Sequence, residues 1–462
     1  MHKNKVIVVL KSLTPDEIRQ LDKFVRSPVH NQHDDVIRFF QYVRKHLGSG
    51  ERALRKETVF EQLFPGEAFN MQQLHYIGSY LLKVVEEFLA WQEWRKDESA
   101  HQISLLRSLH QHKLEALFEK HFEKAQALRK QELRQDTNNL YHAYMLELER
   151  FNQDRLQTSK QEFRLQEMSD SLDAFFVAEK LRNACILLSN QTISKSSYDT
   201  GLLAHVLTFL ETHELLKKPL VAIYYHAYRT LEEHKNDESF QALKKLLSTY
   251  RNSLNVNELH DIYIFAINYC IRQLNSGEQG FMQEVFDIYQ MGLESNAFVQ
   301  NGIMTPRTYS NIIMSGLKLH KFGWVEGFIN SHKAALPEKQ REGFFNYNLA
   351  RLYYEKKNFK QAMPLLLQME YEDALLASLG KVLLAKMQFE QQEIESLASL
   401  LQSFKTYVLR KKLPGNYQEG TLNFIHFLAK LCQKPTGPNE QLRADMVETK
   451  IVVEKEWLLA QL

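Results

Sequence analysis

Between Gly78 and Gly201 the chain contains neither glycine nor proline. A β-rich fold must turn every few residues, and its turns are built largely from Gly, Pro, Asn and Asp. A stretch this long without the first two is therefore expected to be helix. Its apolar residues recur at helical spacing, through Leu105, Leu109, Leu114, Leu117, Phe118 and Phe122, then Leu140, Tyr144, Leu148 and Phe151. Breaks are expected at the polar clusters Asp97-Glu98-Ser99 and Asp136-Thr137-Asn138-Asn139, and across 194–200.

The same scarcity holds for the whole chain, which has 17 Gly and 10 Pro in 462 residues. Its 44% apolar and 25% charged residues are those of a folded globular protein rather than a disordered one. A formal net charge of +2 gives no strong attraction to nucleic acid or an anionic membrane. Cys185, Cys270 and Cys432 are far apart, each in an apolar helical pattern. Such spacing makes neither a disulfide framework nor a zinc site, so we expect buried thiols in a reducing compartment. The opening "MHKNKVIVVLKSL" has an apolar run only from Val6 to Leu10, short of the ~7–15 residues of a signal core. No stretch approaches the ~18 apolar residues of a membrane span. A cytoplasmic protein is the expectation.

Three regions are expected: an N-terminal helical domain over 1–95, a long-helix middle over 96–200, and a helical-repeat domain over 201–462. In the first, Thr14 is placed to cap a helix that begins with Pro15, Asp16 and Glu17. Asn31 is expected to cap the next, and Asn70 a long helix carrying Leu74, Ile77, Leu81, Leu82, Val85 and Leu89. Beyond residue 200 helices come in pairs: 222–233 with 238–250, 260–274 with 281–292, 308–320 with 324–332, 345–356 with 359–369, and 374–387 with 393–409. A helix over 421–432 and a closing one with Val447, Ile451, Trp457 and Leu458 follow. Successive pairs lie roughly 30–45 residues apart, the spacing of helical-repeat arrays.

The segment "NYNLARLYYEKKNFKQAMPLLLQM" (346–369) resembles a tetratricopeptide repeat. The family's packing residues fall on Leu349, Ala350 and Tyr353 in the first helix, Phe359 at the turn, and Ala362, Leu366 and Met369 in the second. Small residues at 350 and 362 let the helices approach closely. A degraded copy lies upstream, with Ser315, Trp324 and Gly327 at the positions of Ala350, Phe359 and Ala362. Another lies downstream through Leu379, Gly380 and Leu383. Pro364 departs from the pattern and should bend its helix. Two N-terminal segments, "LTPDEIRQLDKFVRSPVHNQHDDVIRFF" and "LFPGEAFNMQQL", resemble all-helical bacterial proteins of Bacteroidota, a likeness that supplies no activity. The repeat resemblance implies an all-α fold of hairpins stacked as a degenerate α-solenoid. It also implies a concave groove faced by Tyr347, Asn348, Arg351, Tyr354 and Glu355, residue types suited to gripping an extended peptide or a helix.

Catalytic and metal-binding patterns are weighed against simpler ones. "HNQHDD" brings His30, His33, Asp34 and Asp35 close in sequence, but a capped helix start explains it. His110, His112, Glu115, Glu119 and His121 do not form the paired Glu-x-x-His arrangement of a helical metal site, and are read as a solvated face. No nucleotide-binding glycine motif or nucleophile elbow is present. The first 60 residues carry 12 Lys+Arg against 7 Asp+Glu. However, the helix after Asn70 presents Gln72, Gln73, His75 and Lys83 and then Glu86 and Glu87, too little positive charge to sit among phosphates. "DIYIFAINYCIRQL" and "RTYSNIIMSGLKL" have the character of a pentatricopeptide-like RNA binder, but the drifting spacing and near-neutral charge do not suit one. Phe88, Trp91 and Trp94 are expected to pack between helices. The chain is thus expected to be a non-catalytic protein–protein interaction scaffold, without cofactor or metal. An RNA-binding repeat protein, or a regulator built on the same repeats, is the alternative.

Overall fold

The computed structural model describes residues 4–48, 52–131, 136–155, 165–194, 196–233, 235–367, 373–433 and 440–462, with only the backbone at 130–131 and 192–194. Among these residues the regular structure is all-α, and the β pairing is limited to one isolated bridge between Gln300 and Ile303. None of the described helices is long and apolar enough to cross a membrane. The chain divides into two compact units, residues 1–133 with 138–172, and residues 134–137 with 173–462. The expected middle region is shared between them.

In the first unit, α1 (Lys5–Ser12), α2 (Pro15–Val25), α3 (Asp34–His46), α4 (Lys56–Leu63) and α5 (Met71–Lys96) bury one core, including Val6, Ile7, Leu21, Phe39, Phe40, Leu81, Val85 and Phe88. The start of α2 is a reciprocal cap. The Glu17 amide donates to Thr14 Oγ1 (3.3 Å), and the Thr14 amide donates to Glu17 Oε2 (2.7 Å). Asn70 caps α5 by accepting from the amides of Gln72 and Gln73. Asn31, expected as a cap, is not one. It is buried and ties the α2–α3 loop, with Nδ2 donating to the carbonyls of Val25 (2.9 Å) and His33 (3.2 Å). The neighbouring histidines go separate ways. His30 stacks on Phe24 and lies 2.8 Å from Glu87, while His33 meets the edge of Tyr80. Phe88 is core, Trp91 packs on Phe24, and Trp94 is partly exposed against His101.

The unit continues with α6 (Glu98–Gln111), α7 (Glu115–Gln131) and most of α8 (Thr137–Asp154). Leu106, Leu109, Phe118, Phe122, Ala125 and Leu146 make their shared core, and Leu114 and Leu117 of the expected stripe are exposed instead. The anticipated solvated face is also partly an inter-helix seam. Glu119 pairs with Arg150 (2.5 Å), His110 Nδ1 lies 2.9 Å from Gln153, and His121 Nδ1 lies 3.3 Å from Gln102. His112 and Glu115 alone of the five remain exposed.

The second unit takes most of α9 (Leu165–Ser194), from Asp173 onward, then α10 (Leu203–Thr212). Hairpins follow as expected: α11 (Pro219–Glu232) with α12 (Asp237–Tyr250), α13 (Val256–Asn275) with α14 (Phe281–Glu294), and α15 (Pro306–Lys318) with α16 (Phe322–Ser331). Next come α17 (Arg341–Glu355) with α18 (Phe359–Leu367), and α19 (Ala374–Glu390) with α20 (Ile394–Arg410). First helices of neighbouring pairs touch, α11 with α13, α15 with α17 and α17 with α19, and α19 also meets α21 (Tyr417–Cys432). Cys185 and Cys270 are buried and Cys432 half-buried, all three as free thiols. Met369 lies outside the described residues. Pro364 sits inside α18, which continues to Leu367.

Four of these hairpins turn in one way. Gly277, His320, Lys357 and Gln392 adopt left-handed backbone at φ 97°, 53°, 56° and 60°. The following amide reaches back over the helix end in each: Glu278 to the Gln273 carbonyl, Lys321 to Gly316, Asn358 to Tyr353 and Glu393 to Gln388, at 2.8–3.1 Å. This is the Schellman cap that satisfies the last helical carbonyls. It also fixes a register between neighbouring hairpins that differs from the one expected from their small residues. Aligned on the left-handed residue, Phe322 and Val325 stand where Phe359 and Ala362 do, and Ala385 stands where Ala350 does. Gly327, expected as a packing residue, is exposed with nothing against it. The close approach belongs to Gly316, where a Cβ would lie 2.5 Å from Val325 Cγ2 and 3.3 Å from Phe286. Within the α17–α18 hairpin Tyr354 stacks on Phe359 at 5.9 Å, with Tyr353 packed nearby.

The expected single closing helix is two, α22 (Glu440–Glu448) and the five-residue α23 (Lys455–Leu459). The β-branched run Ile451-Val452-Val453 between them lies outside any helix, with Val453 in a turn. The Val453 amide donates to the Gly420 carbonyl (3.1 Å) and Asn423 Nδ2 to the Ile451 carbonyl (2.8 Å). Leu458 is fully buried, whereas Val447 is 57% exposed.

Two substitutions test this account through the chemical-denaturation midpoint of the second unit. Gly316→Ala should lower stability by about 2 kcal/mol through overpacking against Val325. Gln392→Gly should raise it by about 1 kcal/mol by relieving left-handed backbone.

Candidate functional site

The second unit contains a pocket of about 1130 Å³ between α15, α17, α19 and the segment 453–461. Tyr347, Arg351, Tyr354 and Glu355 all line it. The spacing explains this, because residues four and seven apart share one face of a helix and α17 turns that face inward. Asn348 lies one position round the helix and is fully buried away from the pocket. Its Nδ2 donates to Ser310 Oγ (3.1 Å) and the Phe344 carbonyl (2.8 Å), which joins α17 to α15. Its expected groove-facing role is replaced by a structural one.

Arg351 lies along the α15 wall, with Nη2 2.8 Å from Met314 Sδ and its guanidinium 5.7 Å from the Tyr347 ring centre. The floor carries groups that the sequence reading did not single out as a site. Glu390 of α19 accepts from the Tyr354 hydroxyl, from Trp457 Nε1 (3.0 Å) and from Lys357 Nζ (2.6 Å). One helical turn earlier, Lys386 is 9% exposed and pairs with Glu454 at 2.6 Å. Its ammonium also sits 4.8 Å from the Tyr354 ring centre and 5.3 Å from that of Trp457. The only hint of this in the sequence is one lysine well inside the apolar run "VLLAKMQF". Trp457 belongs to the expected closing helix, but nothing local places it against α19, and Glu454 has no such signal.

Burial raises the carboxyl of Glu390, but the hydrogen bonds from Lys357, Tyr354 and Trp457 outweigh it and hold Glu390 below the usual carboxylate range. Burial likewise raises Glu454. The adjacent Lys386 charge and hydrogen bond, with the charges of Arg351 and Lys318, bring it below its ordinary value. The Tyr354 hydroxyl is pushed up, first by burial and then by Glu390. These groups stay in fixed charge states near neutrality and present aromatic faces beside paired charges. Such a surface is suited to recognition.

Because both carboxylates are depressed on folding, the stability they contribute is complete above the unfolded-state value of about 4.3 and is lost as pH falls through their lower folded values. Acidification from pH 7 to below about 4 should therefore loosen the 453–457 segment and red-shift Trp457 emission. In the Glu390→Gln, Glu454→Gln double variant that step should be absent. A wild-type profile superimposable on the variant's would refute the charge assignment.

Compared with protein-family models, curated proteins and solved structures, the chain finds no match in any of the three, so a functional reading rests on this pocket and its chemistry.

Proposed function

We propose that this chain is a non-catalytic protein–protein interaction scaffold, built of degenerate tetratricopeptide-like hairpins, that holds a peptide or short helix in the α15–α17–α19 pocket. It would work in the cytoplasm and need no cofactor or metal. The observation that carries this reading is the convergence of Tyr347, Arg351, Tyr354 and Glu355 on one wall of that pocket. Aromatic and arginine side chains in a walled pocket are the groups that dominate protein recognition. The charges lining it are mixed: Lys318, Arg351, Lys357, Lys386 and Lys455 against Glu355, Glu390, Glu454 and Glu456. A groove tracking a phosphate backbone would carry a strong excess of cations, so the balance favours a protein partner over RNA.

The test is affinity capture from native lysate with and without nuclease, comparing wild type with an Arg351→Ala, Glu355→Ala variant. Asn348 and Tyr354 are left intact because Asn348 ties α17 to α15 and the Tyr354 hydroxyl holds Glu390, so changing either would disturb the pocket walls themselves. A partner that survives nuclease should be retained about 30-fold less well by the variant, the loss of one hot-spot interaction of about 2 kcal/mol. Far-UV circular dichroism should be unchanged. Undiminished capture by the variant would remove this pocket from the function, and loss of every partner on nuclease treatment would put RNA binding first.

A further inference from the structure

We infer that the 451–459 segment is an internal ligand of the α15–α17–α19 pocket, and that the partner is a peptide with a carboxylate just before a short helix and an indole three residues on, which competes with it. This rests on the scaffold reading of the pocket and adds the partner's chemistry and its regulation. Three observations carry it.

The first is complementarity. The segment gives a carboxylate, Glu454, to a lysine of α19 that is otherwise nearly buried, and an indole N–H, from Trp457, to a carboxylate on the same helix. The indole ring also meets Phe389 edge-on at 5.7 Å and lies under the Lys386 ammonium. A charged side chain buried at a pocket wall needs such a partner, whether from its own chain or another. The second is weak self-sufficiency. At five residues α23 is far shorter than a helix that persists alone. Glu454, immediately before it, is a non-glycine residue in left-handed backbone (φ 54°, ψ 36°), a conformation kept only while surrounding contacts enforce it. The third is space. The pocket is about 1130 Å³ with this segment already in place, and Arg351 and Glu355 line the remainder. An incoming peptide could engage the α15 side before displacing the segment from α19.

The probe is a fluorescein-labelled peptide with the sequence of residues 450–462, titrated by anisotropy into the full chain. Wild type should bind it weakly, because the internal copy occupies the site. The Glu454→Gln, Trp457→Ala protein, whose own segment is loosened, should bind it at least tenfold more tightly. Adding Lys386→Met to that protein should abolish the gain. A peptide with glutamine and alanine at the positions of Glu454 and Trp457 should not bind either protein. Equal affinity of wild type and loosened protein, or equal binding of the altered peptide, overturns the inference.

If the loosened protein loses its helical circular dichroism, the decision passes to hydrogen exchange on wild type in excess peptide. The amides of Val453 and Leu458 should then exchange faster while α17 and α19 are protected, and unchanged exchange overturns the inference. Lysate capture that depends on Arg351, together with no peptide effect, would leave the scaffold reading standing and remove the internal ligand.

Discussion

A two-helix hairpin cannot bury its apolar surface by itself, and in the second unit each hairpin is completed by the next. Helix α19 shows the constraint most clearly. Leu376, Leu383, Leu384 and Met387 pack with Tyr347, Ala350 and Ala362 of the α17–α18 hairpin. From the same helix, Val382 and Ala385 join Leu397, Phe404 and Phe424 in a different cluster. A helix with partners on both sides must be apolar nearly all round, as the stretch 375–389 is. Removing either neighbour would expose one of those faces, which is why stability in such an array resides in its interfaces as much as in its units.

The same constraint applies where the hairpins stop. One face of α21 is covered by α22 and α23, with Leu442, Met446 and Leu458 buried against Phe424 and Leu428. To reach that position the chain leaves helix at Glu448, passes Gly420 without helical structure, and restarts at Lys455. Gly420 permits this passage, since a side chain there would press on Val453 and Ile451 at 3.2–3.3 Å. The path that covers α21 also carries Glu454 and Trp457 over α19. Covering α21 and supplying charge to the pocket are therefore done by one passage of chain, which also sets the Lys386–Glu454 pair and the Trp457–Glu390 hydrogen bond.

Much of the architecture was legible because helical periodicity is a local property. The absence of Gly and Pro between 78 and 201, the cap at Thr14, the cap at Asn70 and the succession of hairpins all depend on residues within a few positions of one another. The failures are equally physical. Asn31 has the composition of a cap, but its amide found better partners across the α2–α3 loop, and His33 took the cap position without a side-chain bond. The small residues of neighbouring hairpins keep no common spacing, because the geometric anchor is the left-handed residue of each turn. That residue is glycine only at 277, and is His, Lys and Gln at 320, 357 and 392.

The candidate site divides along the same line. Sequence by itself determined an all-helical chain, its pairing into hairpins, and the spacing that puts Tyr347, Arg351, Tyr354 and Glu355 on one face of α17. Each follows from the 3.6-residue period and from turn chemistry. Only the tertiary structure decided that Asn348 faces α15, and that Lys386, Glu390, Glu454 and Trp457 meet at one pocket. Lys386 and Glu454 are 68 residues apart in the chain. What joins them is the sum of several turns and one non-helical crossing, each setting a direction that no local period encodes.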